Sequence, residues 1–158
     1  MPIRILVFTP YYIPGYKGGG PIKSIKNLVD SIVEEYEFWV VTSDRDLGDK
    51  ARYYGIEVNK WDVVGKTNIF YVSEGRLTVL NVLGILNDTP HEVIYLNSFF
   101  SFNFSIKVLV ACKLRFFGID RPVVLAPRGE FSPGALDIKS FKKRIFIYIT
   151  NFFGCYRK

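Results

Sequence analysis

Short, almost wholly apolar runs recur along this chain, separated by segments of helical periodicity. Ile3-Arg4-Ile5-Leu6-Val7-Phe8, Phe38-Trp39-Val40-Val41-Thr42 and Asn68-Ile69-Phe70-Tyr71-Val72 each read as a strand. So do Val93-Ile94-Tyr95-Leu96 and Pro122-Val123-Val124-Leu125-Ala126, with Ile56-Glu57-Val58 a minor edge piece. Runs this apolar, rather than alternating, belong to a parallel sheet covered on both faces. Residues 21 to 35 carry Ile22, Ile25, Leu28, Val29 and Ile32 on one stripe, the i, i+3, i+4 spacing of an amphipathic helix, and Pro21 suits its first position. Residues 77–86 predict a second helix. Residues 101–117 predict a third, with Ile106, Leu109, Val110 and Lys113 at helical spacing and Gly118 as its stop. Residues 140–153 predict a fourth.

Alternation of this kind defines the fold class as α/β: a Rossmann-like, doubly wound, mostly parallel sheet. At 158 residues the chain is one domain's worth of protein, and 49% hydrophobic composition excludes a disordered chain. The two cysteines, Cys112 and Cys155, form neither a disulfide framework nor a zinc signature. No stretch reaches the roughly 18 apolar residues of a membrane span, and Pro10 ends the N-terminal apolar run too early for a signal peptide. The expected location is the cytoplasm, with peripheral attachment at the inner membrane face as an extension.

Charge is unevenly divided. Residues 1–100 hold 10 basic and 12 acidic side chains, whereas residues 101–158 hold 11 basic and 3 acidic. The whole basic excess therefore sits in the last third, as for contact with an anion, or simply as a solvated basic face. Lys139, Lys142, Lys143 and Arg144 lie beside Phe141, Phe146 and Tyr148 at and just before the predicted fourth helix, a pattern that suits an anionic membrane surface.

Ligands of open α/β sheets bind at the carboxyl ends of the strands, and four loops there are unusual. Thr9 to Gly20 ends in Gly18-Gly19-Gly20 before a helix, a setting for phosphate at the helix N-terminus or for a loop needing positive φ. Ser43-Asp44-Arg45-Asp46 offers polar groups to sugar hydroxyls, or forms a turn with local ion pairs. Asn97-Ser98-Phe99-Phe100-Ser101 puts two polar residues at a strand mouth and Ser101 at a helix N-cap. Ala126-Pro127-Arg128-Gly129-Glu130 holds an arginine and a carboxylate in a proline- and glycine-rich loop, suited to phosphate or to a structural contact. The single histidine, His91, precedes the fourth strand at the opposite end and reads as a surface turn residue; Cys112 reads as a small core or flank residue within a helix. No metal-ligand cluster, GxSxG elbow or nucleic-acid fingerprint is present in the sequence.

Taken in order, these loops resemble the N-terminal, acceptor-side domain of family 4 retaining glycosyltransferases, one half of a GT-B fold. The resemblance rests on Tyr11-Tyr12-Ile13-Pro14, Gly18-Gly19-Gly20-Pro21, Val41-Thr42-Ser43-Asp44-Arg45-Asp46, Tyr95-Leu96-Asn97-Ser98-Phe99-Phe100-Ser101, Ala126 to Leu136 and the trailing Lys142-Lys143. It covers residues 1–158 and is nearest to bacterial capsular and exopolysaccharide enzymes. It implies transfer of a sugar, of hexosyl type, from a nucleotide-sugar donor to a glycan or lipid-linked acceptor in surface polysaccharide synthesis. No metal or other cofactor and no nucleic acid is implied.

By the same resemblance, Gly18, Gly19, Gly20 and Arg128 would meet donor phosphate, and Tyr12, Asp44, Arg45, Asn97, Ser98, Gly129 and Glu130 would line the acceptor cleft. Where many relatives place a cleft histidine, this chain has Asn97 and Ser98. The family's C-terminal donor-binding domain, with its paired glutamates, has no counterpart here. The expected partner is that domain or a separate chain carrying it, and the 158 residues alone are expected not to be a competent transferase. The alternatives are the acceptor subunit of a split enzyme and a non-enzymatic module that binds membrane, polyanion or a partner.

Overall fold

The computed structural model describes residues 2–32, 34–114 and 121–128. Its elements in chain order are β1 (Ile3–Phe8), α1 (Gly20–Ile32), β2 (Tyr36–Ser43), β3 (Trp61–Val64), β4 (Thr67–Val72), α2 (Val79–Asp88), β5 (Val93–Asn97), a π-helical turn (Phe102–Ile106), α3 (Lys107–Leu114) and β6 (Val123–Ala126). They form an α/β structure on one six-stranded sheet of order β3-β4-β2-β1-β5-β6. Every pairing is parallel except that of β3 with β4. Without the antiparallel edge β3, the order is third, second, first, fourth, fifth, the doubly wound pattern in which the chain reverses direction across the sheet between β1 and β5.

Both faces are apolar because successive strand residues point to opposite sides. Val7, Phe38, Val40, Ile69 and Tyr71 share a core with Ile25 and Val29 of α1. Leu6, Phe8, Val41, Val72, Ile94 and Leu96 share the other with Val82, Ile85 and Leu86 of α2 and Val108, Leu109 and Ala111 of α3. Right-handed crossovers require this division, since β1→β2→β4 runs one way across the sheet and β5→β6 the other. The buried face of α1 is Ile22, Ile25 and Val29, as its stripe predicts.

The expected boundaries shift where local bonds decide them. Thr78, not residue 77, caps α2: its hydroxyl accepts from the Asn81 amide at 3.2 Å. Leu77 and Val82 flank the cap in the same core, a hydrophobic staple. Ser101 is the expected N-cap, accepting from the Phe104 amide at 3.1 Å. Its carbonyl also accepts from both Ser105 (3.0 Å) and Ile106 (3.2 Å), so the following turn is π rather than α. Ile56-Glu57-Val58 is not a strand; Val58 alone forms an isolated bridge, to Tyr71. The edge belongs instead to β3, joined to β4 by Gly65-Lys66, with Gly65 at φ 63° where a two-residue hairpin favours glycine. The predicted helix end at 115–117, Gly118, the helix at 140–153 and Cys155 lie outside the described residues. Among the described residues no helix is long and apolar enough to cross a membrane.

Leu6 sits in the central strand and is fully buried. We expect Leu6→Ala to lower unfolding free energy by about 2–5 kcal/mol, read by urea denaturation.

Candidate functional site

The reversal between β1 and β5 makes a crevice at their carboxyl ends, because the connections leaving them cover opposite faces. Thr9 follows β1 and Asn97 ends β5. The Asn97 side chain is 1% exposed. Its Nδ2 donates to the Thr9 hydroxyl at 3.1 Å and its Oδ1 accepts from Arg128 Nε at 2.6 Å. Arg128, in the loop after β6, further donates from Nη2 to the Tyr95 hydroxyl at 2.7 Å and from Nη1 to Ser24 of α1. Its guanidinium also lies over the Tyr95 ring, 5.9 Å from the centroid. One arginine thus joins β5, the β6 loop and α1. It does so at φ 51°, a backbone conformation unusual for a residue with a side chain. Two of its five N–H groups remain for a ligand.

The three loop glycines have different jobs. Gly19 adopts φ 66°. A Cβ at Gly18 would crowd Ile22 and Tyr11 at 3.0 and 3.1 Å, whereas one at Gly20 would meet nothing. The loop does not present an open row of amides. The Asp46 carboxylate, 3% exposed, accepts from the amides of Tyr16 (2.7 Å), Lys17 (3.0 Å) and Leu47 (2.8 Å), and from that of Gly18. Gly19 donates to the Tyr16 carbonyl at 3.0 Å. Burial opposes ionisation of Asp46, but these amides outweigh it and hold the carboxyl below its ordinary value. The protein's own carboxylate therefore fills the anion position expected for phosphate. What remains is the first turn of α1, the amides of Gly20 and Ile22.

A cavity of about 440 Å³ opens at the carboxyl ends of β1, β2 and β4, between Tyr11, Arg45, Asp49, Glu74, Phe102 and Lys107. Arg45 braces its wall, pairing with Asp44 at 2.8 Å, with Glu74, and with the Lys50 carbonyl at 2.9 Å. Lys107 donates to the Leu77 carbonyl at 2.8 Å and lies over the Phe102 ring. The structure thus brings Asn97, Arg128 and the start of α1 together, with Arg45 on the neighbouring cavity. Asp44 is buried beneath Arg45 and anchored by the Val72 carbonyl and the Tyr53 amide. Tyr12, expected in the cleft, is 1% exposed and packs in the core under α1. Ser98 leaves β5 at φ 148°, its carbonyl accepting from the Ser105 hydroxyl. Gly129 and Glu130 lie outside the described residues.

Ser24 was not foreseen as part of the site, and Thr9 and Tyr95 stood only within longer stretches, without a role of their own. Only Thr9 carried a signal, as a polar residue directly after an apolar run. His91 is a correction: it is 1% exposed, not at the surface, with Nδ1 2.7 Å from the Thr89 carbonyl. It does lie at the amino end of β5, away from the crevice. Cys112 is half-buried within α3. No family model matches the chain, and no curated protein matches its sequence.

Asp46→Asn keeps the shape and removes the charge that holds four amides. Hydrogen bonds to a charged group contribute roughly 1.5–3 kcal/mol each, so we expect a loss of at least that order at pH 7. The Asp46 carboxyl is lowered in the folded state, so its stabilisation is full above the ordinary carboxylate range and disappears as pH falls through the lowered value. Denaturation of both proteins between pH 7 and pH 2 should show their gap closing at the acid end. A second pair tests the loop: a Cβ on Gly15 would fall 2.2 Å from the Tyr53 hydroxyl and 2.9 Å from the Tyr12 carbonyl. Gly15→Ala should lower the melting temperature and Gly20→Ala should not.

Proposed function

We propose that this chain is the acceptor-binding half of a retaining family 4 glycosyltransferase, working with a donor-binding domain or chain to move a sugar from a nucleotide sugar to a glycan or lipid-linked acceptor. The observation that carries the reading is the convergence of Asn97, Arg128 and the glycine-led start of α1 on the reversal point of the sheet. The cavity beside it adds mixed charge of the kind that suits hydroxyl-rich ligands: Arg45 and Lys107 against Asp49 and Glu74.

The division of labour follows from what these groups supply. Two spare N–H donors of Arg128 and the positive end of α1 attract a phosphate oxygen. They do not add up to a pocket for a nucleotide base and ribose, which needs an enclosing apolar wall. The substrate acts without a metal in this reading, and the charge of the leaving diphosphate is met mainly by the partner domain. Attachment at the inner face of a membrane would bring a lipid-linked acceptor to the crevice.

Calorimetry on the chain tests this. A short isoprenoid pyrophosphate carrying one sugar should bind, and UDP- and GDP-sugars at millimolar concentration should not. Arg128→Ala should weaken the acceptor by about tenfold, the worth of one charge-assisted bond, and should also lower the urea midpoint, because it strips the buried Asn97 oxygen of its partner. Nucleotide-sugar binding without acceptor binding, or turnover by this chain alone, would refute the assignment. A variant that loses stability and keeps its affinity would leave Arg128 a structural brace.

A further inference from the structure

We propose a second ligand site, for a neutral sugar ring, in the cavity between the β3–β4 hairpin and α2. The cavity measures about 480 Å³ and lies on the flank of the sheet. It shares only Val72 and Leu77 with the cavity at the carboxyl ends. Its volume falls within the range that holds small ligands, roughly 300–1,000 Å³.

Three observations define the occupant. Trp61 and Phe70 form two aromatic walls, their centroids 5.3 Å apart and their planes at 66°, so that they meet as a corner. Opposite them, Gly84 interrupts the middle of α2, where glycine costs about 1 kcal/mol relative to alanine. A Cβ there would meet nothing within 4 Å, so the missing side chain is space given to the cavity. The rim carries Arg76 and Asp88, neither of which has an ion pair or side-chain hydrogen bond among the described residues.

An aromatic corner with unspent donors and acceptors around it matches a ring having an apolar C–H face and a hydroxylated edge. The charges select neutrality. Arg76 and Asp88 offset each other, and Lys60 is already paired with Glu57. A phosphate or carboxylate would find no net attraction here, and a purely apolar ligand would make no use of the exposed Arg76 and Asp88 at the rim.

The chain has two tryptophans. Trp61 lines this cavity and Trp39 packs edge-on against the Trp61 ring, centroids 4.8 Å apart, so intrinsic fluorescence reports on the site. Titration of the full chain with glucose, galactose and N-acetylglucosamine should give a saturable change in emission for at least one of them. Gly84→Leu, filling the cavity, should abolish it with the circular dichroism spectrum retained. Asp88→Asn and Arg76→Gln, which leave the packing alone, should each weaken it severalfold. No saturable change at concentrations on the order of 0.1 M, an equal response to an aliphatic alcohol of similar size, or a response that survives Gly84→Leu would each overturn the proposal. None of these outcomes bears on the crevice, where the ligand is read by calorimetry and through Arg128.

Discussion

A buried amide must spend both of its ends, and Asn97 spends them across the one place where the sheet comes apart. Between β1 and β5 the backbone ladder is intact, but the chains leaving the two strands diverge to opposite faces. The Asn97 amide spans that divergence, its nitrogen toward Thr9 and its oxygen toward Arg128. A carboxylate there could not donate to Thr9, and a histidine could serve both only with a different reach. The orientation of Arg128, and through Ser24 its hold on α1, follows from this one side chain.

The same logic of internal satisfaction governs the glycine loop. A run of glycines before a helix invites the inference of a phosphate cradle. Here a carboxylate from the β2 loop already occupies the concavity, and the amides of Tyr16 to Gly19 are consumed within the protein. The loop is thereby a rigid lip joined to a second strand end. Its flexibility is spent on a positive φ at Gly19 and close contacts at Gly18. An anion arriving at this end meets Arg128 and the first turn of α1, not the loop itself.

Much of this architecture is legible in the residue order. Apolar runs identified the five parallel strands because burial on both faces leaves little room for polar residues. The stripe on α1 identified its buried side for the same reason. The failures come from contacts that the pattern of apolar and polar residues does not show. Tyr12 reads as a loop residue until Tyr71 and Val29 are seen to enclose it. His91 reads as exposed until the Thr89 carbonyl turns it inward. The β3 strand has a mixed pattern, Trp-Asp-Val-Val, because at the sheet edge only Trp61 and Val64 are half-buried and Asp62 and Val63 stay exposed; its Gly-Lys turn was the readable signal. Of the site, the polar ends of strands were visible and the partners that orient them were not: Ser24 sits on an ordinary helix surface and Tyr95 inside an ordinary strand.

The two edges of the sheet are unequal in what they permit. β3 and β6 are equally short, but β3 carries Asp62, and a charged rim is a poor template for another strand. On the far side, β6 is the last described strand, laid parallel to β5. Among the described strands, β6 is therefore the edge better suited to pair with a further strand. That side carries Arg128 at its upper end, so a strand paired there would also build a wall for the crevice.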